Sequence, residues 1–230
     1  MKIKFSAVIL AGLLTLFAVH AWGGSLTDQL KASIDKVIKI LEDPALKPDD
    51  KVKERRAAIR RVADEIFDFA ESAKRSLGRH WQERTGEERE EFTKLFADLL
   101  ERSYIAKIEL YGGEKITYAG ESLENDQAKV RTKILTKNGT YVLIEYKMLS
   151  RGNRWLIYDV SFDGISLIAN YRSQFNKIIQ TSSYHELVKK LKSKQEDYTS
   201  RRDADIFEDE KSVAVMATTV LISVLGRPAE

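Results

Sequence analysis

The sequence predicts an α+β protein, and three observations carry that reading. Apolar residues recur at helical spacing through the first part of the chain. Between residues 115 and 162 the period changes to two, and after Gly164 it becomes helical again. A run of strands flanked by groups of helices, with no alternating βαβ pattern, gives an antiparallel sheet with helices set against it.

The chain has 230 residues, 43% of them hydrophobic and 32% charged, which is enough apolar material for one packed domain. Residues 1–21 read as a secretory signal. Lys2 and Lys4 form the basic start, residues 7–19 form an apolar stretch too short for a comfortable membrane span, and Val19-His20-Ala21 is a small-residue cleavage site. Residues 22–198 are then the folded domain, and residues 199–230 a tail that is first charged and then apolar, over 212–225. The formal net charge is +3, of which Lys2 and Lys4 supply two, so the mature chain is near neutral and carries no nucleic-acid footprint. Without cysteine there is no disulfide framework, and stability must come from the core.

Leu26, Leu30, Ile34, Val37, Ile38 and Leu41 predict a first helix ending at Asp43-Pro44. A second is expected over residues 50–76, basic at its start through Lys51, Lys53, Arg55, Arg56, Arg60 and Arg61, most simply a solvated face. Gly78 terminates it. Thr85 and Glu88 form a capping box that opens a third helix, whose broad apolar stripe includes Phe92, Phe96, Tyr104 and Ile108. A short strand over 115–119 follows, then an alternating strand over 128–134. Asn138-Gly139 signals a two-residue hairpin, and Val142, Ile144, Tyr146 and Met148 share one face of the next strand. Arg151-Gly152-Asn153 turns the chain into a strand in which alternation puts Leu156, Tyr158, Val160 and Phe162 on one face. That strand is expected to break at Gly164 and turn directly into a helix capped by Ser166. Ser183 and Glu186 open the last helix as a second capping box.

Catalytic signatures are missing. No histidine or cysteine stands at metal-ligand spacing, and His80 and His185 read as surface or cap-region residues. No nucleophile elbow or glycine-rich phosphate loop occurs, so no catalytic residue, metal site or cofactor is expected. Asp159 is read as structural, bonding the amides of the Gly164–Ser166 corner or pairing with Arg172, since no second acid or base converges on it. The alternative is an acid in the pocket of a small isomerase-like enzyme on a curved sheet. The large apolar faces of helices and sheet permit a cavity between them, with a few polar groups at its mouth.

The run W-x-x-Y-D-V-x-x-x-G-I-S-L followed by N-Y-R-S-Q-F resembles the MlaC family of periplasmic phospholipid-binding proteins, also known as toluene-tolerance auxiliary components. It is carried by Trp155, Tyr158, Asp159, Gly164, Ser166, Asn170, Tyr171, Arg172 and Phe175. Phe67-Asp68-Phe69, Leu77-Gly78 and Trp81 match the same family, and the likeness spans residues 25–191. It implies helices over a twisted antiparallel sheet of about four strands, related to the NTF2-like sheets, with phospholipid held between the layers. It also implies exchange with an inner-membrane ABC transporter bearing an MCE-domain protein and with an outer-membrane lipoprotein–porin complex, as part of keeping the outer membrane asymmetric.

On that reading, register makes Val142, Ile144 and Tyr146 one wall of the acyl slot, with Tyr158 and Val160 on the neighbouring strand. Tyr104 and Ile108, with Leu167 and Tyr171 beyond the corner, close it from the helix side. Arg172 is the first candidate for the lipid phosphate, ahead of Arg131 and Arg154. The signal itself is directly testable. Sequencing the N-terminus of protein from a periplasmic extract should show cleavage after Ala21, and an intact Met1 in the membrane fraction would contradict it.

Overall fold

A computed structural model describes residues 26–136 and 139–200. The expected signal segment, Asn138 of the expected hairpin and the apolar stretch 212–225 lie outside the described residues. Among the described residues are six α-helices and one sheet. They run α1 (Leu26–Glu42), α2 (Val52–Ile66), α3 (Phe69–Leu77), α4 (Gly86–Ile108), β1 (Ile116–Glu124), β2 (Gln127–Leu135), β3 (Tyr141–Arg151), β4 (Arg154–Phe162), β5 (Ile165–Ser166), α5 (Leu167–Thr181) and α6 (Tyr184–Ser200). The sheet order is β1-β2-β3-β4-β5 and every neighbouring pair is antiparallel, so the α+β class is as expected.

Two cores form. Residues from one face of the sheet, including Val130, Val142, Met148 and Ile157, gather with Leu26, Leu30 and Ile66. A separate helical core joins α3, α4, α5 and α6. At its centre the rings of Phe92, Phe96, Tyr171 and Phe175 meet edge-on or tilted, with centroids 5.3–5.7 Å apart where Phe96 meets Tyr171 and Phe92 and Phe96 meet Phe175.

The helix expected over residues 50–76 is broken in two. Phe67 is extended (φ −96°, ψ 141°) and bridges to Ile157 of β4 in parallel, and the Asp68 amide donates to the Ile157 carbonyl at 2.8 Å. The Asp68 carboxylate then accepts the Glu71 amide at 2.9 Å and caps α3. Helix periodicity continues through Phe67-Asp68-Phe69, so the break is a tertiary choice: a strand edge recruits the backbone, and a residue suited to an N-cap stands ready. The basic start of α2 is not merely solvated either. Arg55 and Arg56 both bind Glu109 at 2.8 Å, and Arg60 pairs with Asp64, Asp98 and Glu101, which ties α2 to α4. Thr85 and Glu88 form the expected capping box, and the Ser183 hydroxyl accepts the Glu186 amide at 3.1 Å.

The hairpins differ in detail from their sequence signals. β1 is longer than expected and carries a bulge between Tyr118 and Gly120, and Asn125-Asp126 joins it to β2. Thr136 donates its amide to the Thr140 carbonyl at 2.9 Å, so three residues, rather than two, separate that pair at the β2–β3 connection. After β4 the chain does not pass directly into a helix. Asp163 and Gly164 both have positive φ (47° and 86°), the requirement of a type I′ turn, and Ile165–Ser166 folds back on Ser161 and Phe162 as β5. Ser166 then caps α5, its hydroxyl accepting the Ala169 amide at 3.0 Å.

A second bulge shifts the register between β3 and β4. Lys147 pairs with Asp159, but Met148 pairs with Ile157, which leaves Tyr158 as the extra residue. Alternation therefore changes phase at Tyr158. Trp155, Ile157, Val160 and Phe162 pack with the sheet–helix core, and Tyr158 and Asp159 leave it. Asp159 is 5% exposed and satisfied three times: Ser166 donates its hydroxyl at 2.6 Å, Ile168 its amide at 3.2 Å and Lys147 its ammonium at 3.0 Å. Asp159 does bond to the corner, but through the Ser166 hydroxyl and the Ile168 amide rather than the amides of Gly164–Ser166, and the ion-pair partner is Lys147, not Arg172. His80 is buried, not a surface residue, with Nε2 2.9 Å from the Asn176 side-chain oxygen.

Replacing Asp159 with Asn leaves at least one of these buried groups unsatisfied. The variant should lose about 1–3 kcal/mol of stability, seen as a lower midpoint in thermal denaturation. An unshifted midpoint would show that the corner does not depend on the charge.

Candidate functional site

The space between the layers is not filled. A cavity of about 380 Å³ lies between one face of the sheet and helices α1, α2 and α4. Alternation on β3 delivers Val142, Ile144 and Tyr146 to its sheet wall, and the phase change at Tyr158 delivers Ile157, Val160 and Phe162 beside them. α1 contributes Ile34, Val37, Ile38 and Leu41 from the helical stripe read in the sequence, and α2 contributes Ile59, Val62 and Ile66. The second half of α4 adds Leu100, Tyr104, Ile105 and Ile108. The lining is almost wholly apolar; its polar members are few, among them Ser33, Arg60, Glu101, Lys107 and Glu114. That composition and size suit a hydrophobic ligand with a small polar end.

Of the ten residues placed in a binding slot from sequence, seven line this cavity: Tyr104, Ile108, Val142, Ile144, Tyr146, Val160 and Leu167. Three do not. Tyr158 is turned out by the bulge and carries the Arg75 guanidinium 4.1 Å from its ring centroid. Tyr171 is buried in the helical core against Phe96. Arg172 stands with Tyr158 in a separate polar recess. Of the other rim candidates, Arg131 is paired with Glu145 at 3.1 Å, and Arg154 sits exposed at the β3–β4 turn. The cations that do line the cavity are Arg60 and Lys107. Their position could be read only from which face of α2 and α4 met the cavity, since both lie inside ordinary charged helix surfaces.

Burial governs the electrostatics of the walls. Tyr146, inside the cavity, has its phenol pushed above the usual tyrosine value by loss of water, and Tyr111 near the end of α4 is raised for the same reason. Tyr118, packed against the sheet core, is pushed up to about 12 by burial, with Asp35 adding to the effect. These walls hold neutral phenols across the ordinary pH range. Asp159, the acid of the enzyme alternative, lies outside the apolar cavity, lines a separate polar recess and has both oxygens engaged. Among the described residues no group of His, Cys, Asp and Glu side chains could hold a metal ion, and no helix is long and apolar enough to cross a membrane.

Three comparisons bear on this geometry. The phospholipid-binding protein from Ralstonia solanacearum, solved in complex with a phospholipid, superposes with a TM-score of 0.65 at 23% identity, over 75% of this chain and 97% of its own. The intermembrane phospholipid transport system binding protein MlaC of Haemophilus influenzae is 26% identical over 120 residues, covering 50% of this chain. The chain spans 56% of the length of that relative. The family model for MlaC protein matches residues 31–193, from within α1 to the middle of α6, and the chain therefore belongs to the MlaC family.

Proposed function

We propose that the protein is a phospholipid carrier of the periplasm, which holds acyl chain in the apolar cavity and passes lipid between membrane-bound complexes. The observation that carries this reading is the cavity itself, an unfilled apolar space of about 380 Å³ inside an otherwise packed fold. An empty space of that kind forfeits contacts that a solid core would make. An acyl chain restores them, and each methylene taken from water contributes about 0.8 kcal/mol. The Ralstonia protein of the same fold was solved with phospholipid bound. The partners follow from the family: an MCE-domain protein of an inner-membrane ABC transporter on one side and an outer-membrane lipoprotein–porin complex on the other. Cleavage of residues 1–21 would release the carrier to the space between them. Arg60 and Lys107, which line the cavity, replace Arg172 as candidates for the lipid headgroup. The carrier reading calls for no cofactor and no reaction, with phospholipid as the bound cargo.

Organic extraction of protein purified under native conditions, followed by mass spectrometry, should recover phospholipid. An empty protein would overturn the carrier reading.

Ile144 tests the slot directly. It is buried on β3 and faces the cavity. In a solid core, enlargement to Trp costs typically 1–3 kcal/mol. In the cavity the added ring occupies the space meant for lipid, so Ile144→Trp should retain much less phospholipid while the melting temperature of delipidated protein stays close to that of the parent. Unchanged lipid with a much lower melting temperature would remove Ile144 from the slot.

Tyr146 supplies a pH dependence. Its folded value lies above the ordinary 10.0, so the folded state keeps its proton when the unfolded chain has lost it. That contribution is complete below pH 10 and is lost as pH rises through the raised value. Thermal stability should fall above pH 10, and Tyr146→Phe should make part of that fall disappear.

A further inference from the structure

The polar recess lies on the face of the sheet opposite the apolar cavity, between α3 with the turn that follows it and the start of α5. Its volume is about 510 Å³. Four cationic side chains line it, Lys74, Arg75, Lys147 and Arg172, against two carboxylates, Glu71 and Asp159. Both carboxylates are already engaged. Glu71 holds Arg75 at 2.8 Å and Lys74 at 3.6 Å, and Asp159 holds Lys147 at 3.0 Å. Arg172 is different: its guanidinium has no hydrogen-bond or ion-pair partner among the described residues.

Its position is nevertheless specified. Gly78 has φ +55°, and a Cβ built there would lie 3.2 Å from Arg172 Cδ. The glycine thus both ends α3 and lets the arginine stem cross close to the backbone. The recess is also where residues of the sequence motifs gather: Gly78, Trp81, Tyr158, Asp159, Ser166 and Arg172 all line it. The lipid cavity uses none of these six.

We propose that this recess binds the carboxylates of an acidic segment of a partner protein, with Arg172 as the anchor and Lys74 beside it. Charge selects the partner: the lining has more cations than acids, and a guanidinium without a counter-ion matches a carboxylate in bidentate geometry. Shape and composition select a peptide. The recess is larger than a lone oxyanion needs, and Trp81, Tyr158 and Ile168 give it apolar wall for the residues beside the acid. Three of the four cations already share protein carboxylates, so a single small anion would meet few free donors. The proposal does not depend on what fills the apolar cavity, which opens on the other side of the sheet.

The test uses the full mature chain and a synthetic acetylated peptide of alternating Glu and Leu, with binding followed by amide and Trp81 indole chemical shifts. The expected result is shifts confined to α3, the turn at Gly78 and the start of α5, weakened by salt. Arg172→Gln should reduce affinity by about tenfold or more, as expected for loss of a charge-assisted bond. It should leave bound phospholipid and melting temperature unchanged, since Arg172 has no protein partner to lose. Gly78→Ala keeps the charge but displaces the arginine, and it should weaken the peptide as well. Unaltered affinity in Arg172→Gln overturns the proposal, as do shifts scattered over the surface. Equal competition by inorganic phosphate would make the recess a site for small anions only. Loss of binding to phosphatidylglycerol vesicles in Arg172→Gln, without loss of peptide binding, would assign it to a membrane surface instead. Phospholipid missing from the parent protein would count against the carrier reading alone.

Discussion

The Asp159 carboxylate holds together the parts on which the rest of the molecule depends. It joins β3 through Lys147, the β5 corner through Ser166 and the first turn of α5 through the Ile168 amide. β3, β4 and the corner with the helix that follows it thereby acquire one geometry. The bulge at Tyr158 makes this possible, because it moves Asp159 to the face where α5 begins while returning Val160 and Phe162 to the cavity side. Without the extra residue, strict alternation would have kept Tyr158 and Val160 on the same face. A buried ion pair of this kind gives little net stability in itself, but removal of one partner is costly, so it acts as a specification of where α5 starts.

Class, the antiparallel sheet and most elements were legible in the sequence, because long runs of period two and of helical period survive without knowledge of tertiary contacts. Seven of the ten residues expected in the slot line the cavity, and for Val142, Ile144 and Tyr146 register alone brings them together. The misplacements share a cause. A bulge has no composition signal in W-L-I-Y-D-V, so Tyr158 was carried to the wrong face. Tyr171 lies one helical turn beyond Leu167, yet α5 turns its next ring toward Phe96 instead of the sheet. Arg172 follows it around the helix, away from the cavity. The break at Phe67 was equally silent, since a bridge to Ile157 is a contact across the fold and leaves no trace in local periodicity.

The helical core and the cavity divide the work of the chain. The rings of Phe92, Phe96, Tyr171 and Phe175 make a filled interior that needs no ligand. In the sheet half the covering helices are fixed at their edges by polar bonds. Thr27 donates both its amide and its hydroxyl to Glu121, and Arg55 and Arg56 converge on Glu109. The first ties α1 to β1, and the second ties α2 to the end of α4.

This division has an evolutionary consequence. Side chains that face one another across open space are released from the volume matching that constrains a packed interior. Residues such as Val37 or Ile134 can therefore be enlarged, shortened or reshaped while the aromatic cluster continues to secure folding. The shape of the cavity and foldability are separately heritable traits in such a scaffold, because different residues carry them.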